Sequence, residues 1–156
     1  MMRNSATRAA ALAVVGACGL LPGLAGAVCQ IRTTQAVAFG TYLSTDVLPR
    51  DSVGNIIFRC EGQITPIYID ISTGGGGAFA ARSMAGPGSP RLRYNLYRDA
   101  TRLLVWGNGS SGTVRYGPFL PVFGEDTTIP IYGRIFSQQS VPAGAYSDTL
   151  VMTVTF

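Results

Sequence analysis

The chain has 156 residues, a formal charge of +4 and no histidine; its twelve basic residues, all arginine, outnumber eight carboxylates. The missing imidazole removes Ser-His-Asp and Cys-His catalysis and the commonest metal ligand. Arg32, Arg50, Arg59, Arg82, Arg98, Arg115 and Arg134 are scattered, and only Arg91 and Arg93 pair on one strand face, so the basic stripe of a nucleic-acid binder is missing.

Residues 1–27 read as a secretory signal peptide. Arg3 and Arg8 mark a basic start, residues 9–24 are apolar, and Ala25-Gly26-Ala27 is a small-x-small cleavage site. Gly16, Gly19, Pro22 and Gly23 interrupt a run that is too short to span a membrane. Cleavage leaves residues 28–156, the size of one domain and long enough to bury a core. Cys18 leaves with the signal, so Cys29 and Cys60 remain. In an oxidising compartment such a pair is most simply a disulfide, which closes a loop of about 32 residues and contributes roughly 3–4 kcal/mol in the chain-entropy model. Two cysteines without histidine are too few soft ligands for structural zinc.

The mature chain alternates at period two rather than 3.6. Residues 29–40 read as a strand pair or one bent strand: Cys29, Ile31, Val37 and Phe39 share a parity, and a bulge or a switch of sheet at 33–35 reconciles them. Residues 53–60 put Ile56, Phe58 and Cys60 on one face, so both cysteines point inward, as an inter-sheet bridge requires. Residues 64–72 alternate through Ile67, Ile69 and Ile71, and residues 73–90 are a glycine-rich loop. Four glycines at 74–77 lack the Gly-Lys-Ser/Thr of a phosphate loop. Residues 91–98 place Leu92, Tyr94 and Leu96 inward and Arg91, Arg93 and Asn95 outward. Short strands are expected at 102–106 and 113–116 around a Gly/Asn/Ser turn.

Residues 117–124 combine Pro118 and Pro121 with Phe119, Leu120, Val122 and Phe123. They read either as an edge segment packed over the core or as an exposed apolar loop made for contact. Residues 127–136 resume alternation through Ile129, Ile131 and Ile135. The last strand, 145–156, puts Leu150, Met152, Val154 and Phe156 on one face and Thr149, Val151, Thr153 and Thr155 on the other. This apolar strand is either central in its sheet or missing a neighbour that another molecule must supply. Together these segments predict an all-β, antiparallel, Ig-like sandwich of about seven strands.

The carboxylates Asp46, Asp51, Glu61, Asp70, Asp99, Glu125, Asp126 and Asp148 lie mostly beside turns, with no spacing that marks a catalytic pair or a calcium loop. The reading is therefore of a protein that is not an enzyme and needs no cofactor or metal.

Ordered motifs carry a resemblance. They are Ala38-Phe39-Gly40-Thr41-Tyr42, Cys60-Glu61-Gly62, Ile71-Ser72-Thr73-Gly74 with Arg82 and Met84, and the run from Leu92 to Ala100. Val105-Trp106-Gly107-Asn108-Gly109, Tyr132-Gly133-Arg134-Ile135 and Gly144-Ala145-Tyr146-Ser147-Asp148-Thr149 follow. Over residues 29–156 the chain resembles the spore coat protein U domain family, secreted proteins that include subunits of archaic chaperone–usher pili; residues 114–128 match no part of it. The resemblance implies an Ig fold lacking its last strand, whose groove is filled first by a periplasmic chaperone and then by the N-terminal extension of a neighbouring pilus subunit, with an outer-membrane usher as third partner. It places Leu150, Met152, Val154 and Phe156 on one wall and Ile31, Val37 and Phe39 on the other, with the Phe156 carboxylate as anchor for a basic residue of the chaperone. In one respect the chain departs from the pattern. Cleavage after Ala27 leaves Val28 alone before Cys29, with no donor segment, which points to a fibre tip where residues 117–124 meet a surface. The competing readings are a secreted coat or matrix protein that completes its own sandwich, and a carbohydrate-binding module stacking sugars on Trp106, Tyr94, Tyr97 and Tyr116.

Overall fold

The computed structural model describes residues 28–62 and 65–156; the signal peptide expected over 1–27 lies outside them. Eight strands form two antiparallel sheets. They are β1 (Val28–Gln35), β2 (Arg50–Glu61), β3 (Ile67–Ile71), β4 (Ser83–Met84), β5 (Leu92–Tyr97), β6 (Tyr116–Phe119), β7 (Asp126–Ile135) and β8 (Met152–Thr155). A five-stranded sheet has the order β1-β2-β7-β5-β4 and faces a three-stranded sheet of order β6-β3-β8. The all-β sandwich expected from the alternation is present, with β4 as an addition inside what reads as a loop.

Period-two alternation builds the core directly. Ile56, Phe58 and Cys60 of β2, Ile129, Ile131 and Ile135 of β7, and Leu92, Tyr94 and Leu96 of β5 are buried against Ile67, Ile69 and Ile71 of β3. Burying each isoleucine, leucine or phenylalanine among them contributes about 1.5–3 kcal/mol. Trp106 is wholly buried among them, and its indole N–H donates to the Ile69 carbonyl at 2.8 Å.

Four expectations are corrected. Cys29 and Cys60 are bonded but lie directly opposite each other on β1 and β2, with Cα atoms 4.1 Å apart, so the disulfide joins neighbouring strands of one sheet instead of bridging two. The register of β1 shifts between Ile31 and Thr33, slightly before the expected position. Residues 102–106 form no strand: Asp99 accepts the N–H groups of Leu103 and Leu104 and shapes a turn, leaving Val105 and Trp106 in single bridges to Tyr97 and Val114. Asn95, expected outward, is buried because the turn at Phe79–Ala81 covers it; its amide donates to the Phe79 carbonyl.

The C-terminal segment changes sheet. Ser147 exchanges two backbone hydrogen bonds with Ala85, just after β4, and β8 then pairs with β3 from Ile71↔Met152 to Tyr68↔Thr155. Asp148 sits at the crossing, where it accepts hydrogen bonds from the Tyr94 hydroxyl (2.7 Å), Gly75 N–H (2.8 Å) and Thr149 N–H (2.9 Å). This crossing closes the sandwich on the β4 side. β8 is itself an edge strand of the three-stranded sheet.

Candidate binding groove

Between β1 and β2 the chain leaves the sheet, and residues 36–43 form no strand. The backbone passes over the inner face of β2 at Gly54 and delivers Val37 and Phe39 onto Gly133 of β7. Phe39 meets Tyr94 edge-on, with ring centroids 6.1 Å apart. Tyr42 then accepts the Gln139 N–H at 2.6 Å.

A groove of about 1000 Å³ lies between this strap and the C-terminal segment 141–152. Its floor is the main core: Ile56, Met84, Leu92, Leu96, Ile131 and Ile135. The polar feature of its lip is the Tyr94–Asp148 bond. Burial first, and the Asp148 hydrogen bond second, push the Tyr94 hydroxyl far above its ordinary range, so it stays a donor. Beneath that end lies Arg82, 0% exposed. Burial pulls its guanidinium down to about 10. It donates to the carbonyls of Ser72, Ile71 and Trp106 and to Asn95 Oδ1.

The expected wall residues divide. Val37, Phe39, Leu150 and Met152 line the groove from its two sides. Val154 packs inward opposite Ile69 but lies outside the lining. Ile31, opposite Phe58, and Phe156 are exposed and also outside it. Exposure along the final strand nonetheless follows the expected parity, with 150, 152 and 154 half-buried and 149, 151, 153 and 155 exposed. Periodicity alone carried no sign of Arg82, Gly133 or Asp148, since each acts through contacts distant in sequence.

The segment 117–124 divides as well. Phe119 belongs to edge strand β6 and packs against Phe58 and Tyr116. Leu120, Val122 and Phe123 are exposed in the loop that follows, tied to the end of β2 by the Gly124 N–H to the Cys60 carbonyl. The sugar-stacking platform is not available. Trp106, Tyr94 and Tyr97 are buried, and Tyr116 is sandwiched between Trp106 and the Arg98 guanidinium.

Among the described residues, no group of three or more His, Cys, Asp or Glu side chains is placed to hold a metal ion, and no helix is long and apolar enough to cross a membrane. What the groove can do is receive an extended apolar segment. The spore coat protein U domain model matches residues 23–153. The chain belongs to that family. This spore coat protein U domain is 33% identical to Protein U of Myxococcus xanthus over 154 residues, covering 92% of the chain and 79% of that protein. Its fold is similar to a chain in the crystal structure of the CsuC–CsuE chaperone–tip adhesion subunit pre-assembly complex from archaic chaperone–usher Csu pili of Acinetobacter baumannii. That likeness has a TM-score of 0.57 at 22% identity and covers 83% of this chain but 40% of the other, so it is a likeness of fold.

Proposed function

We propose that this protein is an exported structural subunit of a chaperone–usher-type surface fibre, and that its groove receives a β-strand from another polypeptide. The observation that carries this reading is the groove itself: about 1000 Å³ of open apolar space over the main core, bounded by a strap without strand pairing and by the C-terminal segment up to Met152, where the edge strand β8 begins. A strand laid there gains backbone hydrogen bonds along β8 and seats alternate side chains on the core. Its occupants are a periplasmic chaperone during export and a neighbouring subunit at the cell surface, with the usher between. Expected cleavage after Ala27 leaves Val28, which is already paired with Glu61. On that basis the subunit accepts a strand without giving one, and it sits at the fibre end with Leu120, Val122 and Phe123 as contact loop.

The test is to purify residues 28–156 from a periplasm with and without a co-expressed chaperone, then offer a partner subunit's N-terminal peptide. Aggregation relieved by the chaperone, followed by a stable one-to-one peptide complex, supports the reading. Gold label along the shaft, or a mature N-terminus well before Val28, refutes the position at the end.

One observation favours a self-contained secreted coat protein: the strap already lays Val37 and Phe39 on the core. A stable monomer that captures no peptide would establish that alternative.

A further inference from the structure

The strap is held by an unusual set of attachments. No backbone ladder fixes residues 36–43. Instead β2 side chains grip its carbonyls, Ser52 Oγ donating to Ala38 O at 2.6 Å and Arg50 Nε donating to Phe39 O at 2.7 Å. Beneath it are two positions without side chains. At Gly54 an added methyl would collide with backbone: the Gln35 carbonyl, Val37 N at 2.9 Å and Ala36 C at 3.0 Å. At Gly133 it would collide only with side-chain ends, at 2.5 Å from Val37 Cγ1 and 2.7 Å from Phe39 Cζ. Those same two side chains form the strap wall of the groove.

We propose that Gly133 is a specificity-determining position: the missing side chain lets Val37 and Phe39 sink into the five-stranded sheet, and that depth sets how wide a strand the groove admits. This rests on the strand-acceptor reading. Val37 and Phe39 are pinned between Gly133 behind and the groove in front, so a methyl at 133 drives them forward. Phe39 also rests edge-on against Tyr94, which lines the groove at its lip, so forward movement disturbs a second surface that an incoming side chain would touch. Gly54 differs in kind. Its contacts are backbone, which cannot turn aside, so it holds the crossing of the strap and does not tune the groove.

The experiment measures binding of two synthetic peptides to residues 28–156. One alternates valine with threonine and the other alternates phenylalanine with threonine, each capped by arginines for solubility. Wild type is expected to bind the valine peptide, and Gly133→Ala to bind it about tenfold more weakly, the effect of crowding a packed site by one methyl. The double variant G133A/V37A is expected to recover part of the loss, because it removes Val37 Cγ1, the nearer of the atoms that the new methyl strikes, and leaves the Phe39 ring. Far-UV circular dichroism and a thiol count confirm that each variant is folded and oxidised. Should Gly133→Ala fail to fold, Val37→Ala alone decides: a widened groove is expected to shift preference toward the phenylalanine peptide. Equal binding by wild type and Gly133→Ala, no recovery in the double variant, or an unchanged preference in Val37→Ala would each overturn the proposal while leaving the strand-acceptor reading intact. A wild type that binds neither peptide sinks that reading and this inference together.

Discussion

Arg82 meets its hydrogen-bonding needs with neutral acceptors: three carbonyls and the Asn95 side-chain oxygen. Its planar fork reaches β3, β5 and the residues around Trp106 at once. A lysine keeps the charge but loses that geometry, and the stranded carbonyls stay buried. Arg82→Lys is therefore expected to cost roughly 2–4 kcal/mol, read by urea denaturation. Carboxylates at the surface work differently. Two hydrogen bonds from Arg134 hold Asp51 below its ordinary 3.8, against some burial, with the Arg102 charge assisting. Burial tends to raise Asp99, yet the Thr101 hydroxyl and the Leu104 and Leu103 N–H groups outweigh it and bring it to about 2. Both acids are depressed in the fold. Their stabilisation is therefore present above the ordinary value and is lost as pH falls below 3.8, for Asp99 as it falls toward about 2. Asp51→Asn should lower the Tm at neutral pH and shrink the further drop in Tm on acidification; an acid limb as steep as that of wild type would contradict this.

At the scale of the element, β8 has two unlike faces. Val154 packs against the core opposite Ile69, whereas Thr153, opposite Asp70, is exposed. Val154→Arg has to bury an unpaired charge or expel the strand, at a cost of about 3 kcal/mol or more. Thr153→Arg should stay within about 0.5 kcal/mol, as exposed positions do. Denaturation midpoints and periplasmic yield of the two variants measure this, and equal losses would show that the faces are misassigned. β1 is the contrasting element, since most of its residues are exposed and its register slips after Ile31. The disulfide to Cys60 and the ladder to β2 hold it in the sheet.

At the scale of the molecule, β2 gives the layout its axis. Arg50 stands at the strap end of this twelve-residue strand and Cys60, next to last, at the loop end, roughly 33 Å away. The strap wall of the groove and the apolar loop thus lie toward opposite poles. That separation suits a subunit that is joined to a fibre at one end and presents Leu120, Val122 and Phe123 at the other. The double variant Val122→Ser, Phe123→Ser is expected to leave the Tm within a few degrees, since both side chains are exposed and give up little packing. It should at the same time abolish most retention of the folded protein on an apolar surface, measured by quartz-crystal microbalance. Undiminished retention would remove the loop from any adhesive role.

Alternation of apolar and polar residues determined most of the strands, most of their inward faces and the all-β class, because side-chain direction in a strand is a local property of period two. It also made Cys29 and Cys60 the natural pair, and it set the parity of Leu150, Met152 and Val154. Tertiary structure decided everything that depends on which strands meet. It put the two cysteines on adjacent strands, buried Asn95 beneath a turn at Phe79, and carried the final segment from Ala85 to β3 through Asp148. It likewise brought the strap of residues 36–43 across from residues 141–152 to make the groove. Those contacts join residues up to about a hundred positions apart, such as Tyr42 with Gln139. Local periodicity has no term for that closure; the packing of one sheet on the other supplies it.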